Sequence, residues 1–389
     1  MFVKDMKGIS VFQHHSLRAL ISIAAFLVSS TLTAQTIETA ARHAVLYDLT
    51  TDTILLDKAS DVPMPPASMS KLMTVYMVFE RLKAGRLSMD DKFVVSRKAW
   101  RKGGSKMFVM VKSRVSVKDL LRGIIIQSGN DACIVIAEGL SGSEDAFAEE
   151  MTRKAKEIGL TNSSFKNATG WPADGHYMSA RDIATLSKKL ILDFPEYYKL
   201  FIETEFTFGG IKQGNRNPLL YKGFGADGLK TGHTEASGYG LAASTIRKGR
   251  RLLLVINGLN SKRARASESA RLIDWAYRET SSYALFKKGS VIETANIWLG
   301  KTANLPLVIN RDITLTMSRK ARQEMKVKLS YKNPIPAPIK KGSQVGLVSI
   351  TAPGISPIEV PLLANSDVEQ LGPMGRINAA AKYLLFGGS

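Results

Sequence analysis

Apolar and polar positions follow two different periods along the chain, and the places where the period changes divide it. His43–Leu49 (HAVLYDL) and Thr53–Leu56 (TILL) flank Thr50-Thr51-Asp52, which predicts a β-hairpin. Beyond Pro65-Pro66-Ala67 the apolar residues recur at helical spacing over Met69–Lys83, with Ser68 at the entry. Proline ahead of such a run and serine at its start predict a helix N-terminus. Met73, Tyr76, Met77 and Phe79 are expected to face a core. Val117–Ile126 and Ala132–Leu140 predict two more apolar helices, with a break at Gln127–Asp131, and helices are also predicted over Asp145–Ile158 and Ala180–Leu192.

From Tyr239 the pattern reads as strands, Tyr239–Ile246 and Arg251–Leu259 about a turn at Arg247–Arg250, and then as a helix from Arg265 to Arg278. Strands at both ends of a helical middle predict an α+β domain whose sheet joins the two ends. After Lys287 short alternating runs follow, among them Met325–Tyr331, Val345–Ile350 and Ile358–Leu362, punctuated by Pro334, Pro336 and Pro338. That predicts a separate small all-β sandwich. Gly372–Ser389 returns to helical spacing, with Met374, Ile377, Ala381, Leu384 and Leu385 on one face and Arg376 and Lys382 beside it.

The N-terminus changes the picture. Lys4, Lys7 and Arg18 precede the apolar run Leu20–Val28 and the small polar stretch SSTLTAQ, the pattern of a secretory signal cut near Ala34. The run is too short for a membrane span. The single cysteine, Cys133, excludes an intrachain disulfide and is expected to be a small buried core residue. A formal net charge of +20 favours anionic partners. Lys and Arg are spread along the whole chain and no recognition motif accompanies them, so no nucleic-acid partner is expected. Gly223, Gly225 and Gly228 spell G-x-G-x-x-G without the strand–turn–helix context of a dinucleotide site. After the signal only His43, His176 and His233 remain, far apart and without metal-ligand spacing, so no metal or other cofactor is expected.

Three motifs carry chemistry: Ser68-Met69-Ser70-Lys71 (S-x-x-K), Ser128-Gly129-Asn130 (S-x-N) and Lys230-Thr231-Gly232 (K-T-G). Each alone is cheap; their order, spacing and context are not. The first falls on a helix start, the second between helices, the third ahead of a strand. Serine is a weak nucleophile and needs a base beside it. Residues three apart on a helix share a face, so Lys71 can bring its amine to Ser68. Burial or nearby positive charge must lower that amine's pKa before it can act. Ser128 can relay a proton, Asn130 can orient substrate amides, and backbone N–H groups at the helix start can stabilise an oxyanion.

The trio is a signature shared by class A β-lactamases and penicillin-binding proteins, whose middle motif is usually S-D-N. PPASMSKLMT, IIIQSGNDAC and DGLKTGHTEASGYGLAAS resemble the low-molecular-mass penicillin-binding proteins that are serine-type D-alanyl-D-alanine carboxypeptidases. The resemblance runs from His43 to Trp275 and on into the β-rich part. It implies a transpeptidase-like α+β domain, an antiparallel sheet with helices, followed by the β sandwich. The domains would be a signal at 1–34, the catalytic domain at 35–287, the β-rich domain at 288–371 and an amphipathic tail at 372–389.

In that family's scheme Ser68 is acylated by the penultimate D-alanine of a peptidoglycan pentapeptide, Lys71 is the base, and Ser128 relays the proton. Asn130 orients substrate, Lys230, Thr231 and Gly232 hold the terminal carboxylate with Arg265 nearby, and the N–H groups of Ser68 and His233 form the oxyanion hole. The resemblance also implies acylation by β-lactams, a periplasmic location and peripheral contact with the inner membrane through the tail. The rivals are a β-lactamase, a murein endopeptidase of the same clan, and a non-catalytic wall-binding protein. Against the first, Asn162–Ala180 contains no glutamate to activate a deacylating water.

Overall fold

The computed structural model describes residues 2–6 and 37–386. The expected signal run Leu20–Val28 and its cut near Ala34 lie outside the described residues. The chain forms two compact units, Ile37–Arg278 and the segment from Glu279 onward with the N-terminal residues.

In the first unit the expected hairpin is β1 (His43–Asp48) and β2 (Thr53–Lys58). Helices α1 (Lys71–Lys83), α2 (Val117–Arg122), α3 (Asn130–Ser141), α4 (Glu144–Glu157) and α5 (Ala180–Asp193) follow. The unit closes with β3 (Ala226–Thr234), β4 (Gly238–Arg247), β5 (Arg250–Leu259) and α6 (Lys262–Glu279). Serine caps start α2, α4 and α5: Ser116, Ser143 and Ser179 each accept the N–H three residues on, and each cap is worth ~1 kcal/mol.

The sheet order is β2-β1-β5-β4-β3, antiparallel throughout, so the N-terminal strand lies against the C-terminal one, with Leu46 opposite Leu254. Both faces are covered. Ala44, Leu46, Leu241, Leu252 and Leu254 pack with Leu272, Ile273 and Ala276 of α6. Val45, Ala242, Leu253 and Val255 pack with α1, α3 and α5. Two-sided burial explains why β5 reads as a continuous apolar run rather than an alternation. Helix α3 is buried from Asn130 to Ala137, as an all-round apolar helix must be.

Three local features depart from the sequence reading. Lys230-Thr231-Gly232 lies inside β3, the edge strand, not ahead of a strand. The break between α2 and α3 is only Ser128-Gly129, because Asp131 joins the first turn of α3 and accepts N–H bonds from Met107, Phe108 and Val109. Before the break the chain widens into a π turn over Gly123–Gln127.

The second unit has a seven-stranded sheet, in which Phe2–Met6 pairs at the edge along Lys326–Tyr331, and a two-stranded sheet of Thr280–Phe286 with Ile313–Ser318. Leu305, Leu307, Val348 and Val360 of the first sheet share a core with Ile313, Leu315 and Met317 of the second. This is the expected small sandwich. Thr280–Phe286 follows α6 without a turn signal, which is why composition alone leaves it with the helical part.

Candidate active site

Ser68 does not cap α1. A 3-10 turn, Ala67–Ser70, leads into the helix, with Pro66 as its N-cap and no side-chain cap bond. Ala67 sits at φ +49°, a costly conformation for a residue with a Cβ. The turn leaves the Ser68 hydroxyl free of helix duty, and the Lys71 ammonium donates to it at 2.8 Å. A second Lys71 N–H donates to the Thr169 carbonyl at 2.5 Å. Lys71 is completely buried. Burial pushes its pKa down to about 8, and the charges of Arg216 and Lys102 push the same way. A neutral Lys71 keeps one N–H on Thr169 and turns its lone pair to the Ser68 hydroxyl, the arrangement a base requires.

Ser128 is held at φ +67°. It is buried, and its hydroxyl has no partner among the described residues. A buried unpaired hydroxyl calls for an explanation, and this one opens on the same cavity as Ser68. Asn130 is fastened at both ends: its side-chain N–H donates to the Gly103 carbonyl at 2.9 Å and its backbone N–H to the Ser105 carbonyl at 2.7 Å.

Strand β3 supplies the opposite wall. Gly232 lies so close to the serine turn that a Cβ there would meet the Pro66 carbonyl at 2.9 Å, so glycine permits the approach. Lys230 is buried and donates to the Thr231 carbonyl. Burial, then Lys71 and Arg216, hold its pKa well below the ordinary lysine range. His233 stacks on Tyr239 at 3.8 Å between ring centroids. The Arg265 guanidinium lies 5.9 Å from the centre of that ring, and its buried Nε has no partner among the described residues.

A cavity of about 530 Å³ is lined by Ser68, Ser128, Thr231, Gly232, His233 and Arg265, together with Ser105, Arg216, Tyr239 and Lys262. Lys71, Asn130 and Lys230 are buried and hydrogen-bonded to the lining residues Ser68, Ser105 and Thr231 respectively. The described lining residues include no carboxylate, so the cavity carries a positive field suited to an anionic substrate.

Several contributors escaped the sequence reading. Arg216 donates to the Ser105 hydroxyl at 2.6 Å. Thr169 contributes only a backbone carbonyl, and Tyr239 only a ring face. The one sequence-level hint is the local run Asn215-Arg216-Asn217, a turn-rich patch ahead of K-T-G. Cys133 is fully buried, and burial pushes its thiol up to about 12, which suits the core role expected of it.

A model of the D-alanyl-D-alanine carboxypeptidase family matches residues 30–261, and one of the penicillin-binding protein 5 C-terminal domain matches 281–370. The D-alanyl-D-alanine carboxypeptidase DacC of Escherichia coli is 37% identical over 361 residues, covering 91% of this chain and 90% of that protein. The crystal structure of the D-alanyl-D-alanine carboxypeptidase DacD from Francisella tularensis superposes with a TM-score of 0.78 at 31% identity, covering 91% of this chain and 97% of that one. Penicillin-binding protein D2 of Listeria monocytogenes in its ampicillin-bound form does so at 0.57 and 29%, over 62% of this chain and 98% of that one.

Proposed function

The chain belongs to the D-alanyl-D-alanine carboxypeptidase family, and from that premise we propose how its own residues remove the terminal D-alanine of a peptidoglycan stem peptide. Neutral Lys71 takes the Ser68 proton while Oγ attacks the penultimate D-alanine carbonyl. The proton passes through the Ser128 hydroxyl to the leaving amine, the C–N bond breaks, and free D-alanine departs. Water then hydrolyses the ester and restores Ser68. Asn130 orients the peptide, and the outer edge of β3, which no described strand pairs with, can pair with its extended backbone. Lys230, Thr231, Gly232 and Arg265 hold the terminal carboxylate. The N–H groups of Ser68 and His233 stabilise the tetrahedral oxyanion. The observation that carries this assignment is the buried Lys71 amine 2.8 Å from the Ser68 hydroxyl.

β-Lactams enter the same reaction as acyl donors whose adduct persists. Asn162–Ala180 holds no glutamate. Among the described residues the two carboxylates that touch its backbone are both engaged, Glu144 with the Ala168 N–H and Lys98, Asp182 with the Asn162 N–H and the Ser163 hydroxyl. Mass spectrometry after penicillin treatment is expected to show one adduct on Ser68 that lasts minutes or longer, and none on a folded Ser68→Ala variant. The wild type is expected to release D-alanine from a pentapeptide. Labelling of Ser68→Ala at the wild-type rate would remove the nucleophile assignment. Rapid penicillin turnover without D-alanine release would favour the β-lactamase reading, and cleavage of cross-linked muropeptides alone the endopeptidase reading.

The location proposed is the periplasm, peripheral to the inner membrane. The signal pattern around Leu20–Val28 supports export. None of the described helices is long and apolar enough to cross a membrane. The tail helix, Pro373–Phe386, leaves Met374, Ile377 and Leu385 exposed, which suits docking on an anionic lipid surface.

A further inference from the structure

We propose that His176 is a positioning residue for the general base: it fastens the segment carrying the Thr169 carbonyl to the turn carrying Ser68 and Lys71. The imidazole is buried, and both of its nitrogens are engaged. Nδ1 faces the backbone N–H of Lys166 at 3.1 Å. A backbone N–H can only donate, so Nδ1 carries the lone pair and Nε2 the proton. Nε2 then donates to the hydroxyl of Ser70, 2.9 Å away and fully buried. Phe165 packs edge-on against the ring at 5.7 Å. One neutral tautomer therefore satisfies the whole arrangement.

The placement matters because Ser70 is the residue before Lys71. Two adjacent residues of the serine turn bind one segment, Ser70 through His176 and Lys71 through the Thr169 carbonyl. Thr74 adds a third tie, donating to the Ala168 carbonyl at 2.7 Å. The His176 tie thus fixes where the Thr169 carbonyl sits, and that carbonyl sets the direction of the Lys71 lone pair. Burial first, then the charges of Lys71 and Lys166, push the imidazole pKa down to about 4. It stays neutral over the range in which Lys71 works. Protonation would place two donors face to face at Lys166 and a second charge beside Lys71.

The inference rests on Lys71 being the base, and the two can fail separately. The measurement is the penicillin acylation rate constant of the full chain and of His176→Gln, His176→Asn, His176→Ala, Ser70→Ala and the Ser70→Ala/His176→Ala double variant, each beside a thermal melt. Glutamine places an N–H where Nε2 stands, so His176→Gln is expected to stay within roughly threefold of wild type. Asparagine can accept from Lys166 but cannot reach Ser70. His176→Asn and His176→Ala are expected to acylate roughly 10- to 100-fold more slowly, the usual cost of a small misplacement. The double variant is expected to be no slower than the slower single one. Below pH 5 the wild-type rate should show an additional loss that His176→Gln lacks. Equal rates for the Gln and Asn variants, or multiplicative losses in the double variant, would overturn the proposal, and if His176→Ala fails to fold the Gln–Asn comparison decides alone. Absence of any Ser68 adduct in wild type would instead overturn the catalytic assignment.

Discussion

Lys71 sets activity and stability against each other. No carboxylate pairs with it among the described residues, and its pKa of about 8 lies below the ordinary 10.5. The native state therefore binds fewer protons than the unfolded chain between those values. Stability falls as pH drops through that window, and below pH 8 a cost of about 3 kcal/mol is fully in place. Lys71→Met is expected to acylate roughly 10²–10⁴-fold more slowly yet melt at a higher temperature than wild type at pH 7; a lower melting temperature would mean that the amine's two hydrogen bonds outweigh its burial. The same pKa predicts that the acylation rate rises with pH through a midpoint near 8 and levels off above it. Arg216 helps hold that value down, so Arg216→Gln should move the rising limb to higher pH. A rate–pH profile of both proteins tests this, and an unmoved limb would place Arg216 in substrate contact alone.

At the scale of elements, the site depends on how closely the segment after Asn162 packs on the serine turn. Asn167 folds that segment by accepting from the Thr169, Gly170 and Trp171 N–H groups and the Thr169 hydroxyl. Gly170, at φ +76°, lies so near that an added Cβ would sit 1.9 Å from the carbonyl oxygen of Ala67. Gly159 has a similar φ, +86°, and open space around it. Alanine costs about 1–2 kcal/mol at either position for the left-handed backbone. Only Gly170→Ala also strikes the residue before the nucleophile. It is expected to lower both the melting temperature and the penicillin acylation rate, whereas Gly159→Ala should lower the melting temperature alone. Equal acylation by the two variants would show that the turn can yield.

At the scale of the whole molecule, the net charge of +20 and the exposed apolar residues of the tail bear on the proposed docking to an anionic surface. The charge contributes an attraction that salt screens over about 10 Å at 0.1 M, and the apolar residues one that salt leaves in place. Removing 373–389 is expected to abolish sedimentation with anionic phospholipid vesicles at 0.15 M salt and to leave D-alanine release from a soluble pentapeptide unchanged. Equal sedimentation of both proteins would count against the anchor. Loss of activity would assign the helix a packing role instead.

Local order was legible in the chain because local interactions cause it. The β1–β2 hairpin, helices α1, α4 and α5, and the β4–β5 pair follow from spacing, serine caps and turn residues that act within a few positions. Ser68 and Lys71 were legible for the same reason, since they meet across a single turn; the S-x-N and K-T-G motifs were legible as a family signature rather than from local interactions. What the tertiary structure decided is everything that needs distant segments to meet. Lys230 to Gly232 belongs to a strand only because β4 pairs with it; its own run lacks the alternation that would announce one. Arg216 and Ser105, Lys71 and Thr169, and Ser70 and His176 are each about a hundred residues apart. No local pattern marks such pairs, because a backbone carbonyl, a ring face or an electrostatic neighbour leaves no signature in sequence. The residues proposed to react are therefore written in the motifs, and the burial and neighbouring charges that lower the pKa of Lys71 exist only once the chain has folded back on itself.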